Sequence, residues 1–205
     1  MHYEALPEEG KHIFEKLQAF DSFYLAGGTA LALQIGHRIS VDFDLFSQTE
    51  IPANLLVKAK RVYANHAVTP SVNNKEELTV FAGNTKITFL YYPFPLVKPL
   101  VDTNGISLLS ISEIGATKAY TIGRRGSFKD YVDIHAIISG NHASLEDILH
   151  LAEQKFGNEF NGRLFLEQLI YLQDVEDVDS MFLSDPVSKD TLQMYFEEEI
   201  KKLKI

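Results

Sequence analysis

Apolar positions recur at helical spacing through residues 7–20, with Pro7 at the start, where a missing N–H is harmless. Asp21-Ser22 ends that pattern, and Phe23-Tyr24-Leu25-Ala26 is a continuous apolar run of strand length. Gly27-Gly28 then turns the chain, and residues 29–34 predict a short helix closed by Gly36. From Ile39 to Phe46 the pattern alternates. Val41, Phe43 and Leu45 predict a row facing the core, which leaves Asp42 and Asp44 together on the opposite face. A helix is predicted over 51–65, with Pro52 in its first turn and Leu55, Leu56 and Ala59 at helical spacing. Two strand-like runs, 77–81 and 86–92, flank the turn-forming pair Gly83-Asn84 and predict a hairpin. Prolines at 93, 95 and 99 then take the chain out of the sheet.

Beyond Asn104 the period is helical. Ser112 is placed to cap a helix through Ile122, Gly123 to Gly126 interrupts it, and Ser127 caps the next. Further helices fit 144–156, where Ser144 and Asp147 have capping-box spacing, then 161–173 and 188–202. There is no internal repeat and no low-complexity tract. The predicted class is α/β (α+β): a small mixed sheet flanked by helices over 1–104, followed by a helical bundle over 105–205.

Composition narrows this picture modestly. A chain of 205 residues, 45% hydrophobic and 11% aromatic, has enough apolar surface for a real core. It has no cysteine, which removes disulfides and thiolate metal sites. The first residues lack the basic start and apolar core of a signal peptide, and no apolar run approaches a bilayer span, so a cytoplasmic protein without membrane contact is expected. The net charge of −9 argues against broad, nonspecific nucleic-acid binding. Much of that acidity lies late, in Asp174 to Asp179 and Glu197-Glu198-Glu199, and reads as solvated faces. The best basic cluster is Lys118, Arg124, Arg125 and Lys129.

The chemistry concentrates in residues 23–47. A glycine pair at a strand-to-helix turn presents backbone N–H groups and a helix N-terminus to phosphate oxygens, and Thr29 adds a hydroxyl. Carboxylates at i and i+2 on a strand, Asp42 and Asp44, supply hard oxygen ligands for a divalent cation, with magnesium the natural choice. A phosphate cradle followed by a metal clamp points to phosphoryl or nucleotidyl transfer. Either element alone is weak; their order and spacing carry the reading. The histidines at 66, 135, 142 and 150 share no metal-ligand spacing.

The segment AGGTALALQIGHRISVDFDLFS resembles the first signature of the nucleotidyltransferase-like AbiEii/AbiGii toxin family, within the DNA polymerase beta-like nucleotidyltransferase superfamily. The later run ISEIGATKAYTIGRRGSFKDYVDIHAII resembles that family's second region, a helix with a lysine followed by R-G-x-x-K-D-x-x-D. The resemblance spans residues 23–138. It implies Mg²⁺-dependent transfer of a nucleotide from an NTP to an acceptor, tRNA in some members and otherwise possible on a protein. It also implies a toxin of a type IV toxin–antitoxin or abortive-infection system, with a cognate antitoxin as partner. Residue by residue, Gly27, Gly28 and Thr29 match the cradle, and Asp42 and Asp44 the catalytic metal clamp. Lys118, Arg125 and Lys129 match groups that meet the nucleotide, and Asp130 and Asp133 complete the second region. From their spacing alone, Lys129 and Asp133 form an i,i+4 pair.

One departure matters. Active members of the superfamily carry a third acid on a later strand, and here Thr88 stands where that acid is expected. A threonine cannot act as a base at neutral pH. Either Asp130 or Asp133 substitutes, or no base is needed, or the chain is a catalytically degenerate nucleotide-binding or protein-interaction module with the same fold.

Overall fold

The computed structural model describes residues 1–124, 126–176, 182–183 and 186–203. Arg125 and the Asp177 to Asp179 end of the first acidic run lie outside the described residues. The chain divides into two compact units, Met1–Pro95 with Pro99–Leu109 and Leu96–Lys98 with Ser110–Ile205.

In the first unit, helix α1 (Glu8–Lys16) runs into a 3-10 turn, Leu17–Ala19. Strand β1 (Tyr24–Ala26) leads directly into helix α2 (Gly27–Ile35), and strand β2 is Phe43–Ser47. Helix α3 (Leu55–Val62) precedes three strands, β3 (Val68–Asn73), β4 (Glu77–Ala82) and β5 (Thr85–Tyr91). The sheet order is β1-β2-β5-β4-β3. Within this sheet the β2–β5 pairing is parallel, and β1–β2, β4–β5 and β3–β4 are antiparallel. Gly83, at φ +63°, makes the tight β4–β5 turn.

Period-2 alternation sorts the sheet into two chemically different faces. Phe43, Leu45, Leu78, Val80, Ala82, Ile87 and Phe89 are fully buried on one of them. Against this face pack Phe20, whose ring lies 4.8 Å from that of Phe89, and Phe23, at 5.1 Å from the same ring. Truncating one such side chain to alanine costs about 3–5 kcal/mol. The other face carries Asp44, Lys86, Thr88, Glu77 and Thr79, fixed there by the registers Asp44↔Thr88, Thr79↔Thr88 and Phe81↔Lys86.

Three expectations change. Strand β2 begins at Phe43, so 39–42 approach the sheet as a loop and Val41 is exposed rather than core-facing. Strand β3 was not predicted, because an edge strand with Pro70, a bulge between Pro70 and Val72 and mostly exposed residues shows no apolar alternation. Helix α3 spans only 55–62 of the predicted 51–65.

The second unit is helical: α4 (Ile111–Ile122), α5 (Phe128–Ser139), α6 (Leu145–Phe156), α7 (Gly162–Leu169) and α8 (Lys189–Lys202). Ser110, not Ser112, occupies the N-cap position of α4. The cap of α6 forms as predicted, Asp147 N donating to Ser144 Oγ at 3.0 Å and Ser144 N to Asp147 Oδ2 at 3.0 Å. A fully buried ion pair, Lys155 Nζ to Glu113 Oε2 at 2.7 Å, ties α6 to α4. The other oxygen of Glu113 accepts from the backbone N–H groups of Val97 and Lys98, anchoring the proline-flanked crossover to α4. No described helix is long and apolar enough to cross a membrane.

Candidate active site

Gly27 is where the strand-to-helix turn meets the acids. Its φ of +65° lies in the left-handed region, and a Cβ built on it would stand 2.6 Å from Asp44 Oδ2. The absent side chain therefore leaves room for the carboxylate that sits against the first residue of α2. Gly28 follows in the first turn of α2, an N-terminus that begins immediately after β1. The glycine turn and the Asp44 carboxylate therefore adjoin.

Thr29 is nearly fully buried. Its hydroxyl contacts Ser40 Oγ at 2.8 Å and also the carbonyl of Asp42. It thereby fastens α2 to the loop that carries Asp42. Asp42 lies just before β2, and its carboxylate is 3.8 Å from Lys86 Nζ on β5, both groups about half exposed. Lys86 was not singled out from the sequence, since a lysine in a hairpin strand carries no signal until pairing sets it beside Asp42. Arg38 is buried at 3% exposure and donates to the carbonyl of Ile39 at 3.1 Å.

Thr88 pairs in register with Asp44 on the adjacent parallel strand. Register partners on neighbouring strands share a face about 5 Å apart, so Thr88 stands beside Asp44, at the strand position where the resemblance leads one to expect a third acid. Among the described residues no three His, Cys, Asp or Glu side chains converge to hold a metal ion. Two carboxylates are nevertheless a sufficient protein share for Mg²⁺, which keeps several waters and takes its remaining ligands from substrate phosphates. The donor chemistry of Asp42 and Asp44, beside a turn emptied of side chain at Gly27, fits that ion.

The second unit holds a charged cluster. Lys118 Nζ on α4 lies 2.6 Å from Asp130 Oδ1 and 2.8 Å from Asp133 Oδ2 on α5. Burial alone would lower the Lys118 pKa, but Asp133 and Asp130 outweigh it and hold the ammonium above its ordinary value. Asp130 is also the capping residue of α5, its Oδ2 accepting from Ser127 N at 3.1 Å and Ser127 Oγ at 2.9 Å. Both of its oxygens are thus engaged. Asp133 is fully buried and bonded to Lys118, so Lys118 takes the position that i,i+4 spacing gives to Lys129. Spacing along α5 could not show that Asp133 points inward at a neighbouring helix. Lys129 is half-buried on α5.

The folded chain is similar to nucleotidyltransferases of known structure. MenT4, a nucleotidyltransferase toxin from Mycobacterium tuberculosis, superposes with a TM-score of 0.63 at 14% identity, over 94% of this chain and 81% of its own. A Helicobacter pylori protein assigned as a nucleotidyltransferase gives 0.61 at 20% identity, over 94% and 92%. These likenesses define the class of fold, a nucleotidyltransferase fold. Residues 11–204 match the family described as Nucleotidyl transferase AbiEii toxin, Type IV TA system, and the chain belongs to that family. An uncharacterized protein of Aquifex aeolicus (strain VF5) is 29% identical over 177 residues, 84% of this chain and 85% of the relative.

Proposed function

We propose that the protein binds NTP·Mg²⁺ and transfers the nucleotide to an acceptor hydroxyl, as the toxin of a type IV toxin–antitoxin pair. The observation that carries this reading is the Gly27 turn against Asp44, which joins a phosphate-binding backbone to a metal-binding carboxylate. Asp42 and Asp44 hold the cation through hard oxygens; Gly27, Gly28 and the α2 N-terminus receive phosphate oxygens. When bound, the cation offsets charge on the triphosphate and on departing pyrophosphate. Thr29 sets the position of Asp42 through its carbonyl. From the family pattern we assign Lys118, Lys129 and Arg125 to the nucleotide, with the Lys118 charge shared with Asp130 and Asp133. The acceptor class we favour is RNA, a tRNA end in particular, with a protein hydroxyl as the other outcome of a labelling experiment. A cognate antitoxin is the implied partner.

The test is calorimetry with each NTP in Mg²⁺. Wild type binds, while Asp42→Ala with Asp44→Ala loses Mg²⁺-dependent binding; unchanged affinity in that double variant removes the metal assignment. A second reading, nucleotide binding without turnover, is favoured by one observation, Thr88 beside Asp44. Incubation with labelled NTP, Mg²⁺ and total tRNA separates the two, since a silent but NTP-binding protein supports the second.

A further inference from the structure

A nucleotidyl transfer needs a destination for the acceptor's proton, and the strand position beside Asp44 offers only a hydroxyl. That hydroxyl is not isolated. Thr88 Oγ1 lies 3.4 Å from Thr79 Oγ1 on β4, and Thr79 Oγ1 donates to Glu77 Oε1 at 2.6 Å. The three residues occupy one face of the sheet, Thr79 paired in register with Thr88 and Glu77 two residues along the same strand. At 2.6 Å the bond from Thr79 to the Glu77 carboxylate has the length of a charge-assisted O–H···O⁻ contact. A threonine hydroxyl has one proton and two lone pairs. The Thr79 hydroxyl is oriented as donor to both Glu77 Oε1 and Thr88 Oγ1, and its single proton serves the shorter bond to Glu77, so a proton relay requires the Thr88 hydroxyl to turn its own proton toward Thr79. Thr79 is 6% exposed, so water competes little for its hydroxyl. The row has a direction: it begins beside the metal clamp and ends on a carboxylate.

We infer that Glu77 is the terminal proton acceptor for the transfer reaction, reached through Thr79 and Thr88, and replaces the acid that the strand lacks. The inference rests on the nucleotidyl-transfer reading above. In the step, the acceptor oxygen forms its bond to the α-phosphorus while the bond from that phosphorus to pyrophosphate breaks, pyrophosphate leaving with the electron pair. The acceptor's proton passes to Thr88 Oγ1, the Thr88 proton to Thr79 Oγ1, and the Thr79 proton to Glu77, which ends as a neutral carboxylic acid. Release of that proton to water resets the row. Thr88 is the group that touches the acceptor; Thr79 and Glu77 are positioning residues acting through it. The 3.4 Å step is long for a hydroxyl pair, and catalytic hydrogen bonds commonly shorten only once substrate is bound. Asp130 is a poorer candidate because its two oxygens already serve Lys118 and the α5 cap.

A purely structural reading treats the same contacts as a cross-strand threonine pair with a glutamate tidying its end. Rescue distinguishes the two. The proteins to compare are wild type, Glu77→Gln, Thr79→Val, Thr88→Val, Thr88→Asp and Thr88→Asp with Glu77→Gln. Each is measured for NTP·Mg²⁺ affinity by calorimetry and for kcat and KM of label transfer to total RNA. The expected result is unchanged NTP affinity in Glu77→Gln, Thr79→Val and Thr88→Val, with kcat about 100-fold lower in these three, the lower range of a general base. Thr88→Asp places a carboxylate directly at the acceptor, so it is active and Glu77→Gln has no further effect in that background. Wild-type transfer with Glu77→Gln equally fast overturns the relay and leaves nucleotidyl transfer standing. Loss of transfer on Glu77→Gln that Thr88→Asp does not bypass also overturns the relay. A wild type that binds NTP without transferring overturns it too, and one that neither binds nor transfers removes the underlying reading as well.

Discussion

Gly27 meets two requirements at one position. Its backbone adopts a conformation that costs an L-residue about 1–2 kcal/mol, and its missing Cβ clears space that Asp44 Oδ2 would otherwise contest at 2.6 Å. The expected outcome of Gly27→Ala is therefore twofold: a loss of about 1–2 kcal/mol in denaturant unfolding and a larger loss of NTP·Mg²⁺ binding, because the Asp44 carboxylate must move. A titration in which binding survives while stability falls would leave Gly27 a purely conformational residue. The pair of glycines and the spacing to the two acids could be read from the sequence, because both depend on local geometry. The contact between Gly27 and Asp44 could not, since it depends on the antiparallel pairing of Ala26 with Asp44. The same holds for Lys86 and Glu77, which become relevant only when β5 and β4 are placed beside β2.

Helices and strands differed in how far their residues revealed them. Helices α4, α5, α6 and α8 lie close to their predicted spans because period and caps are local signals. Edge strand β3 left no comparable trace, its register and bulge being set by β4. The Glu113–Lys155 pair was equally hidden: two charged residues 42 positions apart, both fully buried, on helices that pack together. Removing one partner leaves a buried charge. Lys155→Met is expected to destabilise the protein by about 3–5 kcal/mol, whereas the double variant Glu113→Gln, Lys155→Met recovers part of that loss. Equal destabilisation in single and double variants would locate the role of Glu113 in its backbone bonds to Val97 and Lys98 instead. On α5, His135 packs edge-on against Tyr195 of α8 at 4.6 Å, and burial lowers its pKa. The unfolded chain then binds the proton more readily than the folded one. Stability is thus full above the ordinary histidine value of about 6.5 and declines as pH falls through it toward the folded pKa. Thermal denaturation of His135→Gln between pH 5 and 8 should show a shallower acid decline than wild type, and parallel curves would remove His135 as the cause.

At the scale of the whole molecule, family and fold were legible because two signatures and the helical period span most of the chain, and the family match covers residues 11–204. Acceptor choice is of another kind, since it depends on surface charge in three dimensions. The chain carries 19 Lys and Arg against 28 Asp and Glu, a balance that disfavours a wide phosphate-binding surface. Two of its buried cations are already neutralised, Lys118 by Asp130 and Asp133, and Lys155 by Glu113. The RNA acceptor proposed above would be held through a few local cations, such as Lys86, Arg124 and Lys129, of which Lys86 also faces Asp42 and Arg124 also faces Glu159, and otherwise through uncharged contacts. Each phosphate neutralised on a single strand contributes about −0.7 to the slope of log K against log salt, so three give a slope of about −2. Fluorescence anisotropy of labelled RNA over 50–300 mM salt measures that slope directly. A slope steeper than about −4 requires more phosphate contacts than these three cations can make, and would mean that further cations, of this chain or of a partner, hold the acceptor.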